Sequence, residues 1–148
     1  MSTGQYPQPE AAYSQVVPVM VAGLICDTLA VDPSSGKKTL VGIFDRLIAA
    51  QFPTKRVFSI YAKFADAIGR YVIRIEYVQE ATDKVLAAAG LEVRATDKTE
   101  TLEIAITPPD SLLVPDPGRY EFRIFANSIY MGRVFFDVLA RAYLQGAP

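Results

Sequence analysis

The sequence predicts an all-β protein, an antiparallel sandwich of about eight strands. Three observations carry that expectation. Apolar residues recur at every second position through most of the chain, which is the period of a half-buried strand. The alternating runs are rich in β-branched and aromatic residues. Clusters of Gly, Pro, Asp, Asn and Ser separate the runs at short intervals, the spacing of a sandwich or barrel.

The elements follow in order. Residues 1–16 read as an arm carrying Pro7, Pro9, Tyr6 and Tyr13 and a single charge, Glu10. Such a segment is either a loose terminus or an extended arm that docks its tyrosines on a neighbour. Residues 17–140 form the predicted sandwich and residues 141–148 a short tail. The first strand begins near Val17. Asp32-Pro33-Ser34-Ser35-Gly36 then makes a hairpin turn, because Pro33 presets φ, Asp32 and the serines bond nearby amides, and Gly36 tolerates positive φ. A run from Val57 to Asp66 puts Phe58, Ile60, Ala62 and Phe64 on one face. Tyr71, Ile73, Ile75 and Tyr77 repeat the pattern after a turn at Ala67-Ile68-Gly69-Arg70. Val85–Ala95 is ambiguous, since Ala87-Ala88-Ala89 favours helix, but Gly90 and the alternation of Leu91, Val93 and Ala95 favour strand. Leu102, Ile104 and Ile106 form a further strand. Tyr120, Phe122, Ile124 and Ala126 pair with Val134, Phe136, Val138 and Ala140 across a turn at Asn127-Ser128.

Three stretches carry a resemblance. They are Leu24-Ile-Cys-Asp27 with Ser35-Gly-Lys-Lys38 and Gly42-Ile-Phe-Asp45, then Phe52-Pro53 with Phe58 and Tyr61, then Pro117-Gly-Arg-Tyr120 with Phe122, Ala126-Asn127 and Gly132. In order and spacing the chain resembles, from about residue 18 to residue 138, a family of uncharacterised bacterial single-domain β-sandwich proteins. The resemblance implies the fold and no activity, substrate or cofactor. Pro117-Gly118-Arg119-Tyr120 also resembles a strand start in immunoglobulin-like sandwiches, where a corner tyrosine bonds its hydroxyl to backbone upstream. The expectation is therefore an immunoglobulin-like sandwich in which Tyr120 and Gly118 are structural.

Composition bounds the chemistry. The 148 residues are 51% apolar and 21% charged, so this is one folded domain and not a disordered chain. Fifteen basic and sixteen acidic residues leave a net charge of −1, which argues against nucleic-acid binding and against a polybasic membrane surface. The chain has no histidine, and so lacks the commonest general base and metal ligand. Its one cysteine, Cys26, sits in an apolar run and reads as a small buried hydrophobe. No phosphate-binding glycine loop, nucleophile elbow or zinc spacing occurs. Residues 1–10 carry no basic group, and the run Val16–Cys26 is broken by Pro18 and Gly23, so neither a secretory signal nor membrane insertion is expected and the cytoplasm is the default. Carboxylates at strand ends, Asp27, Asp45, Asp66 and Asp116, are the remaining candidates. They read as structural, with Asp27 and Asp45 partly buried against Arg46, Lys37 or Lys38, and with ion binding as the lesser alternative.

What remains is surface. If Tyr120, Phe122 and Ile124 point inward, Phe125 points outward, and the same phase turns Phe135 and Leu139 outward. Phe125 and Phe135, on neighbouring strands, are expected to form one aromatic patch, with Tyr130, Met131 and Tyr143 nearby. The first strand is uncharged from Ala11 to Cys26 and apolar in both phases. A strand apolar on both faces is covered on both, by its own loops and arm or by another chain. The expectation is a non-enzymatic protein that self-associates or docks on a larger assembly, with no cofactor. Its candidate interface is Tyr6, Tyr13, Phe125, Tyr130, Met131, Phe135, Leu139 and Tyr143. The alternative is a small-molecule or ion-binding module.

Overall fold

The structure is a computed structural model that describes residues 12–144, with their side chains through Ala142. Tyr6 and the side chain of Tyr143 lie outside the described residues. Two sheets face one another. The first has the order β2 (Lys38–Phe44), β1 (Val19–Val31), β5 (Ser59–Ala65), β8 (Leu102–Ile106). The second has the order β3 (Arg46–Ala49), β11 (Ile129–Ala140), β10 (Gly118–Ala126), β6 (Gly69–Gln79), β7 (Lys84–Ala95). A small pair, β4 (Thr54–Arg56) with β9 (Leu112–Val114), closes one side. All pairings are antiparallel except β3 against β11. A helical turn, α1 (Arg141–Leu144), follows β11.

This is the predicted antiparallel sandwich, with three short strands besides the eight longer ones. β3, β4 and β9 are too brief to show a period of two, so alternation alone does not reveal them. Val85–Ala95 is strand throughout, alanines included, because pairing along β6 outweighs their helix propensity.

The inward phases meet as expected. Ile60, Ala62 and Phe64 of β5 face Tyr71, Ile73, Ile75 and Tyr77 of β6, Tyr120, Phe122 and Ile124 of β10, and Val134, Phe136 and Val138 of β11 in one core. Aromatic rings tie the sheets together. Phe58 meets Phe136 and Phe122 edge-on at 5.1 and 6.0 Å, and Phe44 meets Phe136 at 6.5 Å.

Turn chemistry holds the ends. In the first hairpin the Gly36 amide bonds the Asp32 carbonyl at 2.8 Å with φ +72° at Gly36. The Ser35 hydroxyl and then the Ser34 amide hold the Asp32 carboxyl below its usual value. Asn127 and Ser128 both take positive φ, 48° and 68°, and close a two-residue hairpin between Ala126 and Ile129. Tyr120 is fully buried. Its hydroxyl donates to the Asp116 carbonyl at 2.6 Å and accepts the Asp116 amide at 3.1 Å, the corner that the Pro-Gly-Arg-Tyr start implies. Gly118 opens β10 at φ +139°.

Candidate interaction surface

The described part of the arm lies on its own domain. Tyr13 bridges to Arg70, the Ser14 amide bonds the Arg70 carbonyl at 2.9 Å, and the Arg70 guanidinium covers the Tyr13 ring at 4.4 Å. Tyr71 and Asn127 clamp the segment from below. The Tyr71 hydroxyl donates to the Val16 carbonyl at 2.8 Å, and the Asn127 amide donates to the Ser14 carbonyl at 3.1 Å while its oxygen takes the Val72 amide at 2.8 Å. The Tyr13 expected as an anchor thus lies on its own domain, where the Arg70 carbonyl accepts the neighbouring Ser14 amide. The sequence marks Tyr71 as inward and Asn127 as a turn residue but not their bonds to the arm, since both meet a segment distant along the chain.

The expected single aromatic patch does not form. Both phenylalanines face outward as the phase predicts, but Phe135 pairs with Glu121 and Phe125 with Tyr130. Four residues of β10 separate the two positions, about 13 Å of strand. Phe125 packs edge-on against Tyr130 at 5.6 Å, near Tyr13 and Ile129. Met131, also expected at an interface, instead packs against the core. Leu139 lines a shallow groove with Asp45, Arg46, Gly118 and Arg119. Phe135 lies beneath two guanidinium groups, Arg119 at 3.9 Å and Arg133 at 5.2 Å.

Charges on this outer face neutralise one another. Arg119 pairs with Asp137 at 2.8 Å and holds its carboxyl below the usual range. Glu121 is almost fully buried between Arg123 and Arg133. Burial pushes its carboxyl up, and the two guanidinium donors outweigh that and keep it low. Arg123 also reaches Asp83 at 2.6 Å, and Arg133 reaches Glu80 at 3.3 Å.

The carboxylate expectation needs correction at two residues. Asp27 and Asp45 are exposed, not partly buried, and Lys38 is committed to Glu103 at 2.9 Å. Asp27 lies across from Gly42, whose φ is +71°; a Cβ there would sit 2.3 Å from Asp27 Oδ2. The left-handed backbone there favours glycine. The Asp45 carbonyl accepts the Asp137 amide at 2.9 Å. Among the described residues no three His, Cys, Asp or Glu side chains converge as metal ligands. Cys26 is buried, and burial pushes its thiol up.

The first hairpin carries a set of exposed apolar side chains. Ile25 and Phe44 point inward, so Leu24 and Ile43 point outward. A bulge between Met20 and Ala22 shifts the phase and turns Val19 and Val21 out as well. Val19, Val21, Val41 and Ile43 are each more than half exposed. The band continues into a groove of about 340 Å³ where Leu24, Ile43 and Phe44 face Val134, Phe135 and Arg133 of β11. Its other border is polar. Tyr61, across from Leu24, donates to Glu103, and burial followed by that bond pushes the Tyr61 phenol up to about 12.

A family profile matches residues 21–139. The chain belongs to a family of unknown function (DUF6941). No curated protein matches the sequence. Among solved structures it is similar to an immunoglobulin-like protein from Pseudomonas aeruginosa, at 12% identity and TM-score 0.37, over 85% of this chain and 99% of that one. It is also similar to part of the alkylpurine DNA glycosylase AlkC from Pseudomonas fluorescens, at 16% identity and TM-score 0.36, over 78% of this chain and 30% of that one. A third similarity is to part of a β-glucosidase from Listeria innocua, at 14% identity and TM-score 0.35, over 64% of this chain and 15% of that one. Among the described residues no helix is long and apolar enough to cross a membrane.

Proposed function

We propose that this DUF6941 protein is a non-enzymatic interaction module that holds a protein partner on the outer face of its first hairpin. The observation that carries the reading is the band of Val19, Val21, Val41 and Ile43, continuous with the groove at Leu24 and Phe135. Large uncharged side chains on a sheet face cost solvation unless another surface covers them. An apolar centre bordered by Lys38, Glu103 and Arg133 has the layout of a protein interface, with a charged rim around a core that excludes water.

Ile43→Asp and Val21→Asp test this, because both positions are exposed. The parent, used as bait in lysate of its source cells, should retain a partner that both variants lose at unchanged melting temperature. Identical retention by parent and variants sinks the proposal.

A specific observation favours a second reading, a small-molecule module. Ala87 and Ala89 face inward yet are exposed, and beside them a cleft of about 300 Å³ runs to Tyr77, Phe122, Ile60 and Ile75. Its lining suits a small apolar or aromatic molecule. A panel of such compounds should raise the melting temperature of the parent and not of Ala89→Leu, whose side chain fills the cleft.

A further inference from the structure

The first hairpin does not run straight. At its tip Lys38 pairs with Val31, nine residues along β1 from Ala22. Ala22 is level with Lys63 of β5 and so with Glu103 of β8, on the far side of β1 and β5 from β2. In a flat sheet Lys38 would stand about 30 Å from Glu103 along the strands alone. Instead Lys38 Nζ meets Glu103 Oε1 at 2.9 Å. Glu103 and Tyr61 point outward, since Ile60, Ala62, Leu102 and Ile104 fill the core. The hairpin therefore folds back across the outer face of the first sheet. The fold falls at Asp27 and Gly42, where the ladder is interrupted between the pair Cys26 with Ile43 and the pair Thr28 with Val41, and where Gly42 has φ +71°. Cys26 and Ser59 share the outward phase yet are buried. The hairpin backbone lies on the sulfur, whose thiol donates to the Thr28 carbonyl at 3.3 Å.

We infer that residues 27–42 form a hinged strap, which opens about Asp27 and Gly42 while the sandwich stays folded, with Lys38 on Glu103 as its latch and Cys26 beneath it. Little else holds the strap down. Beyond Cys26 and Ile43 its two strands pair only with each other. Every residue from 27 to 42 is exposed except Leu29, Lys38, Leu40, which are half-buried. Among the described residues, the bond from Lys38 to Glu103 is the one hydrogen bond or ion pair that ties the strap to a strand other than its own two. The Tyr61 hydroxyl and then Lys38 hold the Glu103 carboxyl below its ordinary range, so the latch is charged at neutral pH. An element that buries little apolar area and depends on one partly exposed ion pair opens at low free energy, ahead of global unfolding. Tyr61 keeps Glu103 in place when Lys38 leaves, so the latch closes again on the same carboxylate. Val41 lies beyond the hinge and Ile43 short of it, so opening divides the exposed apolar band. That consequence rests on the proposed partner site; the movement itself does not.

Cys26 is the one thiol of the chain and reports the opening. Its labelling by iodoacetamide, a neutral reagent, is followed by mass spectrometry across a series of urea concentrations below the unfolding transition. The parent should label at a rate that stays flat through low urea, because opening the strap exposes little surface. Lys38→Ala and Glu103→Gln should each label about fivefold faster, the upper end for a surface ion pair, and still at a rate flat in urea. Concentrated sodium chloride should speed the parent and leave Lys38→Ala unchanged, because salt screens the pair that only the parent has. Val21→Asp, which tests the partner site, keeps the latch and should label like the parent, so the two readings fail separately. A parent whose labelling climbs with the full slope of global unfolding, a Lys38→Ala variant labelled at the parent's rate, or salt acting equally on both overturns the inference.

Discussion

Replacing Tyr120 by Phe removes one oxygen from the corner that anchors β10. The ring keeps its place against Tyr77 and Phe136, at 5.7 Å from each, so no cavity contributes. What is lost is the 2.6 Å bond to the Asp116 carbonyl, the 3.1 Å bond from the Asp116 amide and a long 3.5 Å bond from the Gln79 amide. A net hydrogen bond is worth about 1 kcal/mol, and a buried group left without a partner costs about 1–3 kcal/mol. Asp116 is exposed, so water can replace the lost hydroxyl at its backbone and the lower end of that range applies. The expected loss is about 2 kcal/mol, or roughly 6 °C in melting temperature for a domain of this size. Urea unfolding should show a lower midpoint at unchanged slope, since the exposed surface on unfolding stays the same. A loss below about 0.5 kcal/mol would mean that the hydroxyl bonds equally well to water, and the corner would then be packing alone.

Two further outcomes follow from the geometry. Gly42→Ala should destabilise by about 2 kcal/mol in the same assay, because a Cβ would meet the Asp27 carboxylate and the backbone is left-handed there; Asp27→Ala should recover part of that loss in the double variant. Glu121, Glu103 and Asp137 all have folded-state pKa values below their ordinary ones, so the unfolded chain binds more protons as pH falls. Their stabilisation is complete above about pH 5 and is lost below it, so the urea midpoint should be flat near neutrality and drop toward pH 3, with a shallower drop in Glu121→Gln.

The candidate surface was half legible. Phase assigned Phe125, Phe135 and Leu139 correctly to the outside, since parity along a strand is a local property. It did not say which of them meet. A two-residue turn fixes Ala126 against Ile129, and a shift between Ile124 and Phe125 then sets Phe135 beside Glu121, about 13 Å from Phe125. Phe135 next to Leu24 and Ile43 joins strands from opposite ends of the chain, and no local pattern records that. The arginines over Phe135 belong to β10 and β11 and look from the sequence like ordinary solvated charges.

By itself the sequence determined the fold class, the inward residues of the long strands, the Asp32–Gly36 and Asn127–Ser128 turns and the Tyr120 corner. Each depends on a period of two or on neighbours within a few residues, so the chain states it locally. The tertiary structure decided the partners: β3 parallel to β11, Asn127 and Tyr71 on the arm, Glu103 between Tyr61 and Lys38, and β7 left at an edge. Those depend on which strands meet and in which register. That choice is made by the whole core closing at once, with Phe58 and Phe44 set against Phe136, and not by any one segment.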